Sequence, residues 1–299
     1  MSRLDELKPI VTRVVENEPM AAHTTLGVGG PADLYIEVAD EDQLSPLMHY
    51  VFTRRLPWMI LGDGANLLVS DKGIRGVVIR LGEAFEQIIV DGSTIKAGSA
   101  ARISKVADVA ASRNLTGLEG VGSVPGSVGG AITMNAGTHR GYINSVVETV
   151  SVVTETGEKR VLSRDDCGFG YRTSIFQSNK ELIITYVTLK LTPGNGTEIK
   201  EHLETDRQHR SETQPQGKSA GCFFKNSPNN SAGKLIEAVG GKGLREGGAE
   251  VSTIHGNFIM NVDNATATDL YNLAERVREM VRREHGIELE YEVRLVGEW

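Results

Sequence analysis

Hydrophobic residues recur along the chain at two spacings, one typical of strands and one typical of helices. Alternating or short apolar runs predict strands at 33–38, 58–61, 67–70, 77–80, 87–90, 94–97, 146–154, 158–162, 182–191 and 289–296. Apolar residues three or four positions apart predict helices at the start of the chain (Leu4, Leu7, Val11 and Val14) and at 42–55, 102–113, 198–210 and 268–285. This mixture favours an α+β fold over a regular parallel βαβ array.

Turn and capping signals sharpen several of these boundaries. Asp91-Gly92 and Glu155-Thr-Gly157 each separate two predicted strands and predict hairpins. Thr266 and Asp269 have the spacing of a capping box, and Gly286 marks the end of the last long helix. We expect a polar loop at 211–218.

Length and composition indicate a globular protein of about two domains, at ~150 residues per domain for 299 residues. Pro193-Gly-Asn-Gly196 is the clearest candidate boundary. The net charge is −7, so a mainly nucleic-acid-binding role is disfavoured.

Neither the apolar runs nor the N-terminal sequence suggests a membrane or secreted protein. We find no apolar run long enough to span a bilayer, and the acidic N-terminus does not resemble a secretory signal. We therefore predict a cytoplasmic location. Two cysteines, Cys167 and Cys222, are too few for a disulfide framework or a cysteine-rich zinc site, and no metal site is expected.

Glycine is the compositional exception, with 34 residues against roughly 21 expected at ~7% usage. The densest cluster is Gly120–Gly137, which also contains Ser123, Ser127 and Asn135. Such a loop lets the backbone approach a ligand closely, and its N–H groups can surround an anion such as a pyrophosphate. The alternative interpretation is a tight loop that only packs.

A second glycine loop, Gly62-Asp-Gly-Ala-Asn-Leu67, follows a predicted strand. Leu67 stands where a dinucleotide fingerprint has its third glycine, and the main cluster has Pro125 there. Neither loop therefore supports a Rossmann site. From these residues alone, the ligand could be FAD, NAD or a nucleotide sugar.

Six segments stand out along the chain, at 24–32 (TTLGVGGPA), 61–70 (LGDGANLLVS), 122–130 (GSVPGSVGG), 170–176 (GYRTSIF), 220–226 (AGCFFKN) and 292–297 (EVRLVG). Taken in this order, they resemble one family, the UDP-N-acetylenolpyruvoylglucosamine reductases (MurB). Each is weak alone, but together they extend over nearly the whole chain.

The resemblance implies a two-part architecture. A FAD-binding domain of the vanillyl-alcohol-oxidase (PCMH) type would occupy 1–196, with two subdomains that meet near residue 83. A smaller α+β substrate domain would occupy 197–299, with its last strand, about 288–297, returning to the flavin domain. The short stretch after Arg172 is similar to the family subtype that lacks a tyrosine-loop insertion.

The resemblance also implies a reaction. NADPH would reduce FAD, and the enolpyruvyl double bond of UDP-N-acetylglucosamine enolpyruvate would then be reduced to give UDP-N-acetylmuramate for peptidoglycan synthesis. Charge that develops beside the substrate carboxylate needs donors, and the carbon needs a proton. Arg172 and Glu292 match the family's catalytic arginine and glutamate, which would stabilise this enolate-like charge.

Cys222 departs from the family pattern, because many members have serine at this position as the proton donor. A thiol has an ordinary pKa near ~8.5 and is a far stronger acid than a serine hydroxyl. We therefore expect Cys222 to donate the same proton from its thiol form. Cys167 is interpreted as structural.

The remaining site residues are carried over from the same motifs. The cofactor set is Gly62, Asp63, Gly64, Ala65, Asn66, Leu67, Ser123, Pro125, Gly126, Gly129, Gly130, Asn135 and Gly137. The substrate set is Lys225, Asn226 and Arg210, and a phosphate contact that relatives make with lysine could be lost at Thr213. Lys234, Arg245, His255 and Asn257 are weaker candidates. Residues 58–70 contain no histidine, so we expect noncovalent FAD.

Two other function classes stay open at this point. One is a flavin oxidase of the same fold that acts on an alcohol or hydroxy acid, and the other is a flavin- or nucleotide-binding protein without activity. The combination of Arg172, Cys222 and Glu292 argues against both. The expected partners are the UDP sugar and NADPH, with no nucleic acid, and a monomer is favoured.

Overall fold

A computed structural model describes residues 3–179, 181–226 and 230–299. The helices in these ranges are α1 (Arg3–Leu7), α2 (Glu41–Thr53), α3 (Ile103–Ser112), α4 (Val128–Thr133), α5 (Ile175–Ser178), α6 (Gly196–Thr213), α7 (Ala232–Ala238) and α8 (Ala267–His285). The strands are β1 (Arg13–Pro19), β2 (Pro31–Val38), β3 (Trp58–Leu61), β4 (Leu67–Val69), β5 (Ile74–Leu81), β6 (Ile88–Asp91), β7 (Thr94–Gly98), β8 (Leu115–Thr116), β9 (Gly137–Thr138), β10 (Gly141–Tyr142), β11 (Val147–Thr154), β12 (Lys159–Ser163), β13 (Leu182–Lys190), β14 (Thr192–Pro193), β15 (Arg245–Glu246), β16 (Ala249–Val251), β17 (Ile259–Asn261) and β18 (Arg294–Val296).

The chain forms two compact units, and each is made of several separate stretches of sequence. The first unit comprises Met1–Glu16, Leu34–Asp63 and Gly76–Arg207. The second comprises Asn17–Asp33, Gly64–Arg75 and Gln208–Trp299.

The main sheet of the first unit is antiparallel, with the strand order β12-β11-β13-β7-β6. Both predicted hairpins are confirmed, because β6 pairs with β7 across Asp91↔Thr94 and β11 pairs with β12. One face of the sheet packs on α3, whose buried residues include Ile103, Val106 and Ala110. The apolar stripe that predicts this helix therefore also supplies the core.

A second sheet has the order β1-β2-β5-β3, and its β3 and β5 run parallel with Trp58 opposite Val77. Helix α2 buries Leu44, Leu47 and Val51 in the core that these strands share. Asp40 caps this helix by accepting a hydrogen bond from the Gln43 N–H.

The second unit is organised by α8, which begins with the predicted capping box and ends at Gly286. Its apolar stripe, including Leu270, Leu273 and Val277, lies in one buried cluster with the short sheet β15-β16-β17. Asp71 accepts hydrogen bonds from the N–H groups of Ala267 and Thr268, which holds the stretch 64–75 at the start of the helix.

Three predicted elements are wrong in extent. The opening helix stops at Leu7, and Val14 lies in β1, because Pro9 lacks an N–H donor and restricts the residue before it. The predicted loop 211–218 begins late, since α6 continues to Thr213, two residues before Pro215. The predicted strand 289–296 is reduced to β18, with one isolated bridge at Tyr291.

The last strand lies beside an early one. β18 pairs in parallel with β4, with Leu295 opposite Leu68. This pairing brings the end of the chain to a strand within the range 1–196, while the assignment of domains to 1–196 and 197–299 stays a prediction.

Candidate active site

The main glycine cluster is fixed against the end of β7 by backbone hydrogen bonds. The Gly129 N–H donates to the Ser99 carbonyl and the Val128 N–H to the Ala101 carbonyl, both at 2.8 Å. Ser127 lies just before α4, and its Oγ accepts a hydrogen bond from the Gly130 N–H at 3.3 Å. The loop is therefore a fixed cradle of small residues rather than a loose turn.

Two buried hydroxyls beside this loop have unused hydrogen-bonding capacity. Ser99 Oγ and Ser123 Oγ have no hydrogen-bond partner in the part of the chain that the structure describes. Gly126 has φ +120°, and a Cβ there would meet no other atom within 4 Å. Buried polar groups are normally paired, so unused hydroxyls beside an open glycine fit a polar, phosphate-bearing ligand such as FAD.

The second glycine loop, at 62–67, approaches the main cluster at Gly62. A Cβ at Gly62 would lie 2.8 Å from Ser127 Oγ, so only glycine fits without a shift of the serine. Both residues belong to the first unit. Gly62 therefore lies next to the main glycine cluster, while the joint binding of a cofactor by the two loops stays a prediction.

The rest of this second glycine loop, Gly64 to Leu67, belongs to the second unit. The Gly64 carbonyl accepts a hydrogen bond from the Thr25 N–H at 3.2 Å. Asn66 Nδ2 donates to the Glu292 carbonyl at 3.1 Å, and the Asn66 carbonyl accepts from the Arg294 N–H. This half of the loop is thus tied to the segment that carries Glu292.

Other predicted cofactor residues take structural positions. Asn135 is buried, and its Nδ2 donates to the Gly170 carbonyl at 2.9 Å while its Oδ1 accepts from the Asn144 N–H. Gly137 pairs with Tyr142 in the hairpin β9–β10. The structure places Pro125 at an exposed position. The direct contact of these three residues with a cofactor stays a prediction.

Arg172 lies at the tip of a tight turn in the first unit. Gly170 and Thr173 face each other in an isolated antiparallel bridge, and both of their N–H groups donate across it. Arg172 itself has φ +54°, in the left-handed region that disfavours side chains. Gln177 Nε2 donates a hydrogen bond of 2.7 Å to the Arg172 carbonyl. The turn is therefore strained and externally held.

Cys222 and Glu292 are brought together in the second unit. The carbonyl of Phe223, next to Cys222, accepts a hydrogen bond from the Glu292 N–H at 2.9 Å. Phe224 and Tyr291 form an isolated bridge beside it, and the rings of these two residues are 5.3 Å apart. Cys222 and Glu292 are both partly exposed, so each remains accessible to a ligand.

Asn257 holds this arrangement from the other side. It is only 1% exposed, and its side-chain amide pairs with both backbone groups of Phe224: Oδ1 accepts from the N–H at 2.9 Å and Nδ2 donates to the carbonyl at 2.7 Å. The Asn257 carbonyl also accepts from the Phe223 N–H. A weak substrate candidate from the sequence is thus a buried support of the Cys222 loop.

Arg294 is a candidate that sequence reasoning missed. It lies on β18 two residues after Glu292, and burial lowers the pKa of its guanidinium. Within the described ranges this guanidinium forms no ion pair with an acidic side chain. A buried charge needs a counterion, so Arg294 is available to an anionic group of a ligand. Its place in the Glu292-Val-Arg294 motif was the available signal.

The predicted substrate residues have protein partners of their own. Lys225 Nζ lies 3.3 Å from Glu290 Oε2, and Asn226 Oδ1 accepts from the Ala232 N–H at the start of α7. Arg210 lies near the end of α6, where the Thr213 hydroxyl donates to the His209 carbonyl. These residues share the second unit with Cys222 and Glu292, and their binding roles stay predictions.

The weaker substrate candidates are mostly structural. His255 Nδ1 accepts a hydrogen bond from the Asn257 N–H, and burial lowers the pKa of its imidazole. Arg245 pairs with Glu250 at the edge of the small sheet. Lys234 is exposed on α7.

The two cysteines differ sharply. Cys167 has no exposed surface, and burial followed by the nearby charge of Asp166 raises the pKa of its thiol to about 11. Cys222 is partly exposed. The structural role expected for Cys167 fits this environment.

The described residues show neither a metal-binding cluster nor a membrane-spanning helix. No group of three or more His, Cys, Asp or Glu among the residues described could hold a metal ion. Nor does the described chain contain a helix both long and apolar enough to cross a bilayer. The expectation that no metal takes part stays a prediction.

Family profiles match both parts of the chain. Residues 32–163 match a profile described as an FAD binding domain, and residues 213–296 match the C-terminal domain of UDP-N-acetylenolpyruvoylglucosamine reductase. The first match includes the main glycine cluster, and the second includes Cys222 and Glu292. The chain binds FAD through a fold of this class, as its glycine loops suggest.

Solved structures support the same fold. The structure of the reductase MurB from Thermus caldophilus matches with a TM-score of 0.82 and 38% identity, covering 95% of this chain and 98% of that one. A variant of the glucose dehydrogenase Phl p 4 matches with a TM-score of 0.52 and 15% identity, over 64% of this chain and 44% of that one, which shows the fold alone.

Curated relatives extend over the full length. The UDP-N-acetylenolpyruvoylglucosamine reductase of Caldanaerobacter subterraneus subsp. tengcongensis is 43% identical over 298 residues, which cover 99% of this chain and 98% of the relative. That of Anoxybacillus flavithermus is 39% identical, with 99% of each chain covered. The chain is therefore an FAD-dependent oxidoreductase that belongs to the UDP-N-acetylenolpyruvoylglucosamine reductase family.

Proposed function

We propose that the protein reduces UDP-N-acetylglucosamine enolpyruvate to UDP-N-acetylmuramate with NADPH, as a cytoplasmic step of peptidoglycan precursor synthesis. The observation that carries this proposal is the hydrogen bond between the Glu292 N–H and the Phe223 carbonyl, which fixes Glu292 beside the Cys222 loop. A carboxyl group and a thiol on neighbouring backbones suit charge stabilisation and proton donation.

When bound noncovalently, FAD would supply the hydride-transfer chemistry that links NADPH to the terminal carbon of the enolpyruvyl double bond. Gly129, Gly130, Ser123 and Ser99 are the residues we expect to hold its phosphates. Arg294 is a further donor for an anionic group of a ligand, because its half-buried guanidinium forms no ion pair with another described residue.

Cys222 donates the proton. Its Sγ–H bond breaks, the proton forms a bond to the substrate carbon next to the carboxylate, and the thiolate that remains recovers a proton from solvent. The side chain must therefore be a thiol when the reaction starts. Arg172 and Glu292 stabilise the charge on the substrate carboxylate, and a guanidinium can grip it with two hydrogen bonds.

The test is a spectroscopic titration without oxygen. NADPH should bleach the visible flavin absorbance of the purified protein, and the UDP-enolpyruvyl sugar should restore it with formation of UDP-N-acetylmuramate. Bleaching without recovery would favour the alcohol-oxidase alternative. A protein that could not be reconstituted with FAD would contradict the assignment of the glycine loops.

Substitutions at Cys222 then test the donor. C222A should slow recovery of the flavin absorbance by roughly 10²- to 10⁴-fold, the usual contribution of general acid catalysis. C222S should retain much of the activity, because a hydroxyl also carries a proton. An unchanged rate in C222A would contradict proton donation by Cys222, while leaving hydride transfer intact.

A further inference from the structure

We propose that Gln177 is the positioning residue for Arg172. The inference rests on the role proposed for Arg172, and it assigns a task to a residue in the short helix α5 that no motif singles out. Gln177 lies five residues after Arg172 and reaches back to it.

The backbone at Arg172 requires an external restraint. Its φ of +54° lies in the left-handed region, which costs an ordinary residue free energy that glycine avoids. Such conformations persist only where surrounding contacts hold them. The contacts across the Gly170–Thr173 bridge close the turn, but they do not bond the Arg172 carbonyl.

Gln177 supplies that bond. Its Nε2 donates to the Arg172 carbonyl at 2.7 Å and to the Thr133 carbonyl at 3.1 Å, and Met134 Sδ lies 3.4 Å away. All three neighbours are acceptors, so the amide nitrogen rather than the amide oxygen must face them. Both N–H bonds are therefore used in one clamp.

The two hydrogen bonds of Gln177 connect the Arg172 turn to the last part of the main glycine cluster. Thr133 is the last residue of α4, and its carbonyl also accepts a hydrogen bond of 2.7 Å from Ser174 Oγ. Asn135 Nδ2 holds the Gly170 carbonyl on the other side of the turn. Two side-chain amides thus fix two alternate carbonyls of the turn, and Gln177 fixes the one that belongs to Arg172.

Loss of the clamp should release the strain locally. Without the donor, the Arg172 carbonyl can rotate and the residue can relax toward an ordinary φ, which would swing the guanidinium away from its working direction. A misplacement of about 1 Å costs roughly 100-fold in rate at a preorganised site.

The experiment uses the full-length protein loaded with FAD and two variants. Q177M keeps the length of the side chain without donors. Q177E keeps its shape but presents an acceptor to three acceptors, and it serves if Q177M folds poorly. S178A, in the same helix, removes only the bond from Ser178 Oγ to the Ile175 carbonyl and is the matched control.

Two readouts separate positioning from general damage. Trypsin should cut after Arg172 faster in Q177M than in the wild type or S178A, because Tyr171 is 51% exposed and a released turn can bind a protease in an extended form. Recovery of the flavin absorbance by the UDP-enolpyruvyl sugar should slow by roughly 10- to 100-fold, whereas bleaching by NADPH should not change.

A double substitution then shows whether Gln177 acts through Arg172. In an R172K background, adding Q177M should cost little more, because interacting residues are not additive. Equal additional losses in both backgrounds, or wild-type trypsin cleavage in Q177M and Q177E, would overturn the inference. If R172K itself recovered the flavin absorbance at the normal rate, the proposed role of Arg172 would fail instead.

Discussion

The Arg172 turn and the Cys222–Glu292 region hold their proposed chemistry by different means. In the turn, the amides of Asn135 and Gln177 bond carbonyls of a strained backbone. Around Cys222, the carbonyl of Phe223 accepts backbone hydrogen bonds from both Glu292 and Val293, and the side-chain amide that bonds Phe224, that of Asn257, is itself buried. A single side chain can therefore release the first region, whereas the second is part of a core.

Because of this difference, we expect substitutions in the two regions to affect activity and stability differently. The turn has an exposed Tyr171 and few buried apolar contacts, so its loosening should affect activity more than unfolding. The Cys222 loop continues into Phe223 and Phe224, both with no exposed surface. Disturbing that loop should affect both properties.

The largest expected effect comes from blocking the reactive thiol. Iodoacetamide should label Cys222 and abolish turnover, while Cys167 stays unmodified, because Cys167 is fully buried and its thiol pKa is raised to about 11. Peptide mass spectrometry locates the label. C222S should resist inactivation, and full labelling of Cys222 with normal turnover would contradict its role.

The next effect concerns the support of the Cys222 loop. N257A leaves a buried N–H and a buried carbonyl of Phe224 without partners, so we expect a loss of about 2–4 kcal/mol in the free energy of unfolding. Urea denaturation measures this value. Q177M should lose about 1 kcal/mol or less by the same measurement, and equal losses in the two variants would remove the contrast between the regions.

A smaller effect is expected from pH. If Cys222 donates a proton, recovery of the flavin absorbance should fall by about tenfold per pH unit above the thiol pKa, since the donor is then a thiolate. The stopped-flow rate across alkaline pH measures this. In C222S the decline should disappear, because serine stays protonated there, and an unchanged decline would assign it to another group.

The smallest effect should come from Asp71, which supports neither region directly. Burial raises the pKa of its carboxyl, but hydrogen bonds from the Thr268 hydroxyl and the N–H groups of Ala267 and Thr268 outweigh burial and lower it. D71A should cost about 1 kcal/mol of unfolding free energy at neutral pH.

The sign of the pH dependence follows from that lowered pKa. Asp71 binds fewer protons in the folded state, so its contribution is present above the unfolded pKa and is lost as pH falls through the folded pKa. The difference in urea midpoint between the wild type and D71A should therefore shrink in acid. A constant difference would mean that the charge is not what stabilises the helix.

Elements with strong local signals could be predicted from the sequence. The capping box at Thr266, the stop at Gly286 and the hairpin at Asp91-Gly92 are correct because each depends on residues close in the chain. The opening helix was extended too far because helical spacing alone does not register Pro9, which ends the helix, and Val14 lies in strand β1.

The supports of the site could not be predicted in the same way. Asn257 and Ser99 contact backbone groups of Phe224 and Gly129 that are distant in sequence, and Gln177 joins the nearby Arg172 carbonyl to the distant Thr133 carbonyl. Such contacts leave no periodic pattern. Family motifs identified Arg172, Cys222 and Glu292, but a motif marks which side chains recur and not what holds them. Arg294 could have been identified from the sequence, because it lies in the motif at 292–297.

The pairing of β4 with β18 has a consequence for how the molecule is made. Leu67–Val69 meets Arg294–Val296, so this ladder joins segments separated by most of the chain. Closing so long a loop is slow, and β4 can gain this partner only after Arg294–Val296 has left the ribosome. Leu67–Val69 must therefore wait without this partner during translation, and a nascent chain that stalls before Arg294 would present an open strand edge to its neighbours.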